Sequence, residues 1–276
     1  MMTCIDFDRE FERYMGVWMK ENAEKYANNM DVIEGMMPDI YMAFLAAPAD
    51  FIGGMAPQDY FEQFDDADML VAWLEDYVRL RVPVPDLLLE RITALGERAQ
   101  GALLALLERG DASEEAEMTA ISLLREMQSA APMQRYIRYI AGLEEPSEKG
   151  DLCAEALLSM GEAAVAPILA ALDGAGEAGR DIFADILSNY PGDERIYALL
   201  IERFTHCEDR RALFASYLAK LGDERALGAL TAAAMQSGVG YLDYVEIVSA
   251  IEALGGERPP EREFAGDPYY ESLKRL

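Results

Sequence analysis

A histidine, a cysteine and a glutamate stand side by side at His206-Cys207-Glu208, and His206 is the only histidine of the chain. An imidazole beside a thiol suggests nucleophilic catalysis. Adjacent residues point in different directions, however, and catalytic pairs are assembled from distant segments. A histidine closing a helix serves the negative end of its dipole, so no catalytic residue is assigned. Asp65, Asp66 and Asp68 are a second candidate. Three neighbouring carboxylates either ligate a cation or, standing just ahead of a helix, cap it, and capping is the simpler reading. Cys4, Cys153 and Cys207 are far apart and form no Cys-x-x-Cys pair. They read as free thiols of a reducing compartment. With one histidine and no close cysteine pair, no zinc site is expected, and neither a metal nor a cofactor is assigned.

The elements that would position any site are set by glycines. Four helix-like stretches run into similar turns: Ala94-Leu95-Gly96-Glu97-Arg98, Ser159-Met160-Gly161-Glu162-Ala163, Tyr190-Pro191-Gly192-Asp193-Glu194-Arg195 and Lys220-Leu221-Gly222-Asp223-Glu224-Arg225. The glycines are 65, 31 and 30 residues apart, so the first step is about twice the others. A period near 30 with a helix on each side of the glycine predicts stacked helical hairpins. Glycine ends each first helix in the left-handed conformation, and Asp193 and Asp223 suit the N-cap of the helix that follows. Glycines at such turns, rather than after strands, form no nucleotide loop.

Aligned on the glycines, Leu104, Leu169, Leu200 and Leu230 recur eight residues on, with Gln100, Val165, Ile196 and Ala226 one helical turn earlier. These are expected to be the buried stripe of each second helix. Pro167 fits the first turn of its helix. Ser129-Ala130-Ala131-Pro132 splits the long step and marks a repeat that has lost its glycine, and Leu254-Gly255-Gly256-Glu257-Arg258 reads as one more turn. That makes six hairpin turns. Pro259 and Pro260 then stop the pattern, and Asp267-Pro268-Tyr269 opens a last helix to Leu276 that covers the end of the stack. Arg98, Arg195 and Arg225 occupy equivalent turns, where each can pair with the acid of a neighbouring turn. Gly-Asp-Glu-Arg is therefore read as a structural ladder rather than a site.

The two Gly-Asp-Glu-Arg turns, Gly96-Glu97-Arg98 and the run from Gly161 to Leu172 resemble the HEAT-like repeat family, in the short form known from phycobilisome lyases. The resemblance covers about residues 86–258 and implies an all-α fold, an α-α superhelix built as a solenoid of helical hairpins. For activity it is broad, because the family includes chromophore lyases, DNA-repair glycosylases and scaffolds.

Residues 1–85 match no named family and differ in composition, holding 13 of the 26 aromatics and 10 of the 15 methionines. The extended Val82-Pro83-Val84-Pro85 stretch divides this helical N-terminal region from a solenoid over residues 86–276. Phe7, Phe11, Tyr14 and Trp18 form one helical stripe behind an Asp6 cap. Met36 to Leu45 and Asp68 to Leu80 are further helices, with a loop from Phe51 to Pro57. The bulky residues either fill a core or line a ligand pocket, and a core is the simpler account.

Acidic residues outnumber basic ones 51 to 24, a formal charge of −27. Phosphate binding needs clustered Lys and Arg, so nucleic acid is excluded as a partner. The acidic field favours solubility and cationic partners; an acidic balance is also common among bacterial cytosolic proteins. The first residues, MMTCIDFDRE, carry no secretory signal and no apolar run is long enough to span a bilayer, so a cytoplasmic protein without a membrane partner is expected.

The chain thus reads as a non-enzymatic scaffold that binds a protein or peptide, of basic character, on the concave face made by the second helices. Glu108, Arg109, Asp173, Glu202 and Arg203 are its expected contact residues. The alternative, by analogy with the lyases, is an enzyme or a tetrapyrrole-type binder that uses the aromatic N-terminal region.

Overall fold

The computed structural model describes residues 2–22, 24–26 and 30–273. These residues are all-helical and contain no strand. The helices are α1 (Phe7–Asn22), α2 (Met30–Gly35), α3 (Met37–Ala46), α4 (Ala67–Leu80), α5 (Asp86–Ala94), α6 (Glu97–Arg109), α7 (Glu114–Glu126) and α8 (Met133–Ala141). They continue as α9 (Glu148–Ser159), α10 (Val165–Ala171), α11 (Glu177–Leu187), α12 (Glu194–His206), α13 (Arg211–Leu221), α14 (Leu227–Ala234), α15 (Tyr241–Ala253) and α16 (Pro268–Leu273). Two compact units contain them, residues 1–129 and 130–276. The extended 82–85 link therefore lies inside the first unit, where α4 packs against both α5 and α6.

In the first unit, α4 buries Leu70, Trp73, Leu74 and Tyr77 along one face, and Asp66 caps it by accepting from Met69 N. Asp6 caps α1 by accepting from Arg9 N. The Phe51–Pro57 segment folds as a short loop with 3₁₀ turns on either side of Gly53 and Gly54. In the second unit α11 packs on α8 and α9, α12 on α11 and α13, and α15 on α13 and α14. At the start of α11 two backbones touch: Gly176 N donates to Ala141 O and Gly179 N to Leu143 O. A Cβ at Gly179 would meet the Ile140 carbonyl.

The turn glycines Gly96, Gly161, Gly192, Gly222 and Gly255 all have positive φ, from 60° to 99°. In the glycine-less repeat the same place is taken by Gln128, with φ 55°, 32 residues after Gly96 and 33 before Gly161. The lost glycine is therefore position 128, just ahead of the expected Ser129–Pro132.

The buried stripe needs correcting. Ile196 and Leu200, and Ala226 and Leu230, are buried as expected, but Gln100, Leu104, Val165 and Leu169 are only half-buried. Ala99 and Leu103, and Ala164 and Ile168, take their places one residue earlier. The cause is turn length. In the Gly-Asp turns an aspartate stands between the glycine and the first helical residue, whereas Gly96 and Gly161 lead straight into helical turns at Glu97 and Glu162.

No second helix of the expected kind follows Gly255, so among the described residues five turns with a helix on each side stand where six are expected. Pro259 and Pro260 deny the chain helical hydrogen bonds, and Arg262 holds the non-helical segment by donating to Ala234, Gln236 and Val239 carbonyls. Asp267 caps α16 through Tyr269 N and Tyr270 N, and its other oxygen accepts from Tyr241 N at the start of α15. Residues 274–276 of the expected last helix lie outside the described residues. The arginine ladder has one rung. Arg225 reaches Glu194 on the neighbouring turn, while Arg195 holds its own-turn Asp193 and Arg98 a backbone carbonyl at Asp65.

Candidate functional site

A groove of about 580 Å³ runs over α9, α11 and α13 in the second unit. α9 contributes Asp151, Ala154, Glu155 and Leu158, and α11 contributes Ala178, Asp181, Ile182 and Asp185. Both sets follow the i, i+3, i+4, i+7 spacing that places side chains on one helix face. Leu213 and Tyr217 of α13 complete the apolar floor, and Glu144 and Glu177 extend the rim. Six carboxylates thus surround the floor, against one arginine, Arg210, from the 3₁₀ turn Glu208–Arg210. Leu213 is 38% exposed, an apolar side chain left open to solvent in the groove.

Glu177, Asp181 and Arg210 of the groove form an ion-pair cluster with Arg203. Arg203 of α12 donates to Asp181 Oδ1 at 2.8 Å and to Glu177 Oε2 at 2.7 Å, with its side chain only 11% exposed. Arg210 donates to the other Asp181 oxygen and lies 3.3 Å from Glu177 Oε2. The Arg203 hydrogen bond holds the Glu177 carboxyl below the usual carboxylate range. Burial, with Asp185 and Asp181 nearby, pushes the Tyr217 phenol upward and keeps it protonated. Lys220 pairs with Asp185 at 3.0 Å.

Of the five contact residues expected from sequence, Asp173, Glu202 and Arg203 come together in a separate hollow of about 500 Å³. It also takes in Arg180 and Arg195, so its charge is mixed rather than acidic. Arg203 is only 11% exposed, with its Nη atoms held by Glu177 and Asp181. Glu108 and Arg109 belong to the first unit, where Glu108 is exposed and Arg109 is bound to Glu75 and Asp111.

His206 is exposed at the end of α12, its Nδ1 2.9 Å from Glu202 O, and Cys207 follows as the helix cap. Asp66 is a cap and Asp65 an ion-pair partner of Arg91. Among the described residues no group of three or more His, Cys, Asp or Glu side chains is arranged to hold a metal ion. Nor is any described helix long and apolar enough to cross a membrane. In the first unit the aromatic rings mostly pack on one another: Phe7 on Phe51, Tyr60 and Phe61, and Trp73 on Phe61 and Phe64. A shallow hollow of about 430 Å³ remains beside Tyr14, Val17, Phe44 and Phe51.

Comparison with protein-family models, with curated proteins and with solved structures finds no match to this chain.

Proposed function

We propose that the chain is a HEAT-like α-solenoid whose second unit binds a cationic, amphipathic segment of a partner protein in the α9–α11–α13 groove. The observation that carries the reading is an open apolar floor ringed by six carboxylates and one arginine. Apolar anchors at i, i+3, i+4 and i+7 suit the floor, and flanking Lys or Arg suit the rim, as in helix-in-groove recognition. The net charge of −27 steers such a partner in and repels acidic ones. The site moves from the second helices, where sequence alone places it, to the first. The lyase-like alternative has less support, because the N-terminal rings pack on one another.

The test is titration of a short helical peptide of leucine and lysine, with a leucine–glutamate peptide as control. Saturable binding of the lysine peptide is expected, weakened by salt and lost on Asp151→Lys with Asp185→Lys. Loss on Asp173→Lys with Glu202→Lys instead would return the site to the second helices.

A further inference from the structure

Two arginines share the same pair of carboxylates, and they are held very differently. Arg203 comes from the last turn of α12, is 11% exposed and lies 5.3 Å from the Phe214 ring. Its partners and the ring fix it. Arg210 closes a three-residue 3₁₀ turn and its side chain is 33% exposed. Both point at Asp181 and Glu177, so two cations crowd one acidic pair.

We propose that Arg210 is a built-in competitor for the groove: its guanidinium occupies the cation subsite of Asp181 and Glu177, and a guest lysine or arginine enters by exchanging with it. This rests on the reading of the groove given above and specifies how that site selects its partner. Removing Arg210 from Asp181 leaves no carboxylate uncompensated, since Arg203 stays on the other Asp181 oxygen and on Glu177. Arg210 also has somewhere to go. Asp209, 78% exposed and 3.5 Å from its Nε, is already a partner. Exchange therefore trades one partly solvated ion pair for another, which costs little. A guest without a cation leaves Arg210 in place and gains nothing at this end of the groove. Selectivity then arises because the wrong partner fails to displace a resident group, and the resident lowers the apparent affinity of the right one.

Calorimetric titration of the leucine–lysine peptide into wild type and Arg210→Gln tests this. The variant should bind roughly three- to tenfold more tightly, the worth of one partly exposed competing charge pair. It should melt close to wild type. Arg210→Lys, which keeps the charge but loses the bidentate fork, should fall between the two, and it gives the reading if the glutamine variant does not fold. Equal or weaker binding by the variants overturns the competitor role and leaves the groove standing as a site. Absence of binding by wild type and variants alike overturns the groove itself, and this inference with it.

Discussion

Arg225 joins Glu194 across neighbouring turns: its Nη1 lies 2.8 Å from Glu194 Oε1, while its Nε and Nη2 hold Asp223 within its own turn. The guanidinium also lies 4.2 Å from the Tyr197 ring. One side chain therefore combines a cap contact, a ring contact and a bridge between neighbouring turns. The bridge is the weakest of the three, because both partners are more than half exposed.

Glu194→Gln should accordingly shift Tm by less than about 2 °C, and less still at high salt. Arg225→Ala should lower it more, since the Tyr197 and Asp223 contacts go as well. Thermal melts at low and high salt compare the two, and a large loss from Glu194→Gln would restore the ladder as a stabilising device.

The turns were the most legible part of this fold, because positive φ at Gly192 and Gly222 selects glycine and the N-cap selects aspartate. The period could be read from them, but the register could not. One residue more or less between glycine and helix rotates the stripe, so Leu104 and Leu169 were expected in places that Leu103 and Ile168 fill. Gln128 hid a turn because its side chain says nothing about its φ. The groove was legible in part: Glu177, Asp181 and Asp185 recur at i, i+4 and i+8, a like-charge stripe that weakens an isolated helix. What the sequence could not place was Arg210, brought to that stripe across 29 residues to Asp181 and 33 to Glu177.

Gln128 bears a backbone conformation that costs a non-glycine residue about 1–2 kcal/mol. Its side chain is exposed, so nothing else is lost on replacement. Gln128→Gly should stabilise the first unit by about 0.5–1 kcal/mol, the strain relieved less the added freedom of the unfolded chain. Urea unfolding measures it, and destabilisation would show that the Gln128 side chain contributes more than its geometry suggests.

Gly179 and Gly101 are both helical, yet alanine should act on them in opposite directions. At Gly179 the new methyl meets the Ile140 carbonyl, backbone that cannot step aside cheaply. Overpacking of this kind costs about 1–3 kcal/mol. At Gly101, within α6, there is nothing within 4 Å of the new Cβ. Gly101→Ala should therefore add about 0.5–1 kcal/mol from helix propensity. Paired urea titrations decide, with equal effects at the two sites contradicting the close approach of α8 and α11.

Acid should unfold the protein through its caps. The Arg195 side chain, and then its backbone N–H, hold Asp193 down to about 2. Arg225 lowers Asp223 in the same way, and the Tyr241, Tyr270 and Tyr269 backbone N–H groups lower Asp267. A carboxyl whose folded pKa lies below its unfolded value of about 4 contributes in full above that pH, and loses the contribution as pH falls through the folded value. Stability should therefore drop between about pH 4 and about 2. Above that window the trend reverses, because acidification from neutral pH relieves the self-repulsion of a −27 chain. Melting followed by circular dichroism from pH 8 to pH 2 should show a shallow maximum near pH 5. Asp267→Asn should melt lower than wild type at neutral pH, because the ionised double cap of α15 and α16 is weakened. It should also lose less on acidification, and identical acid limbs for variant and wild type would remove Asp267 from the account.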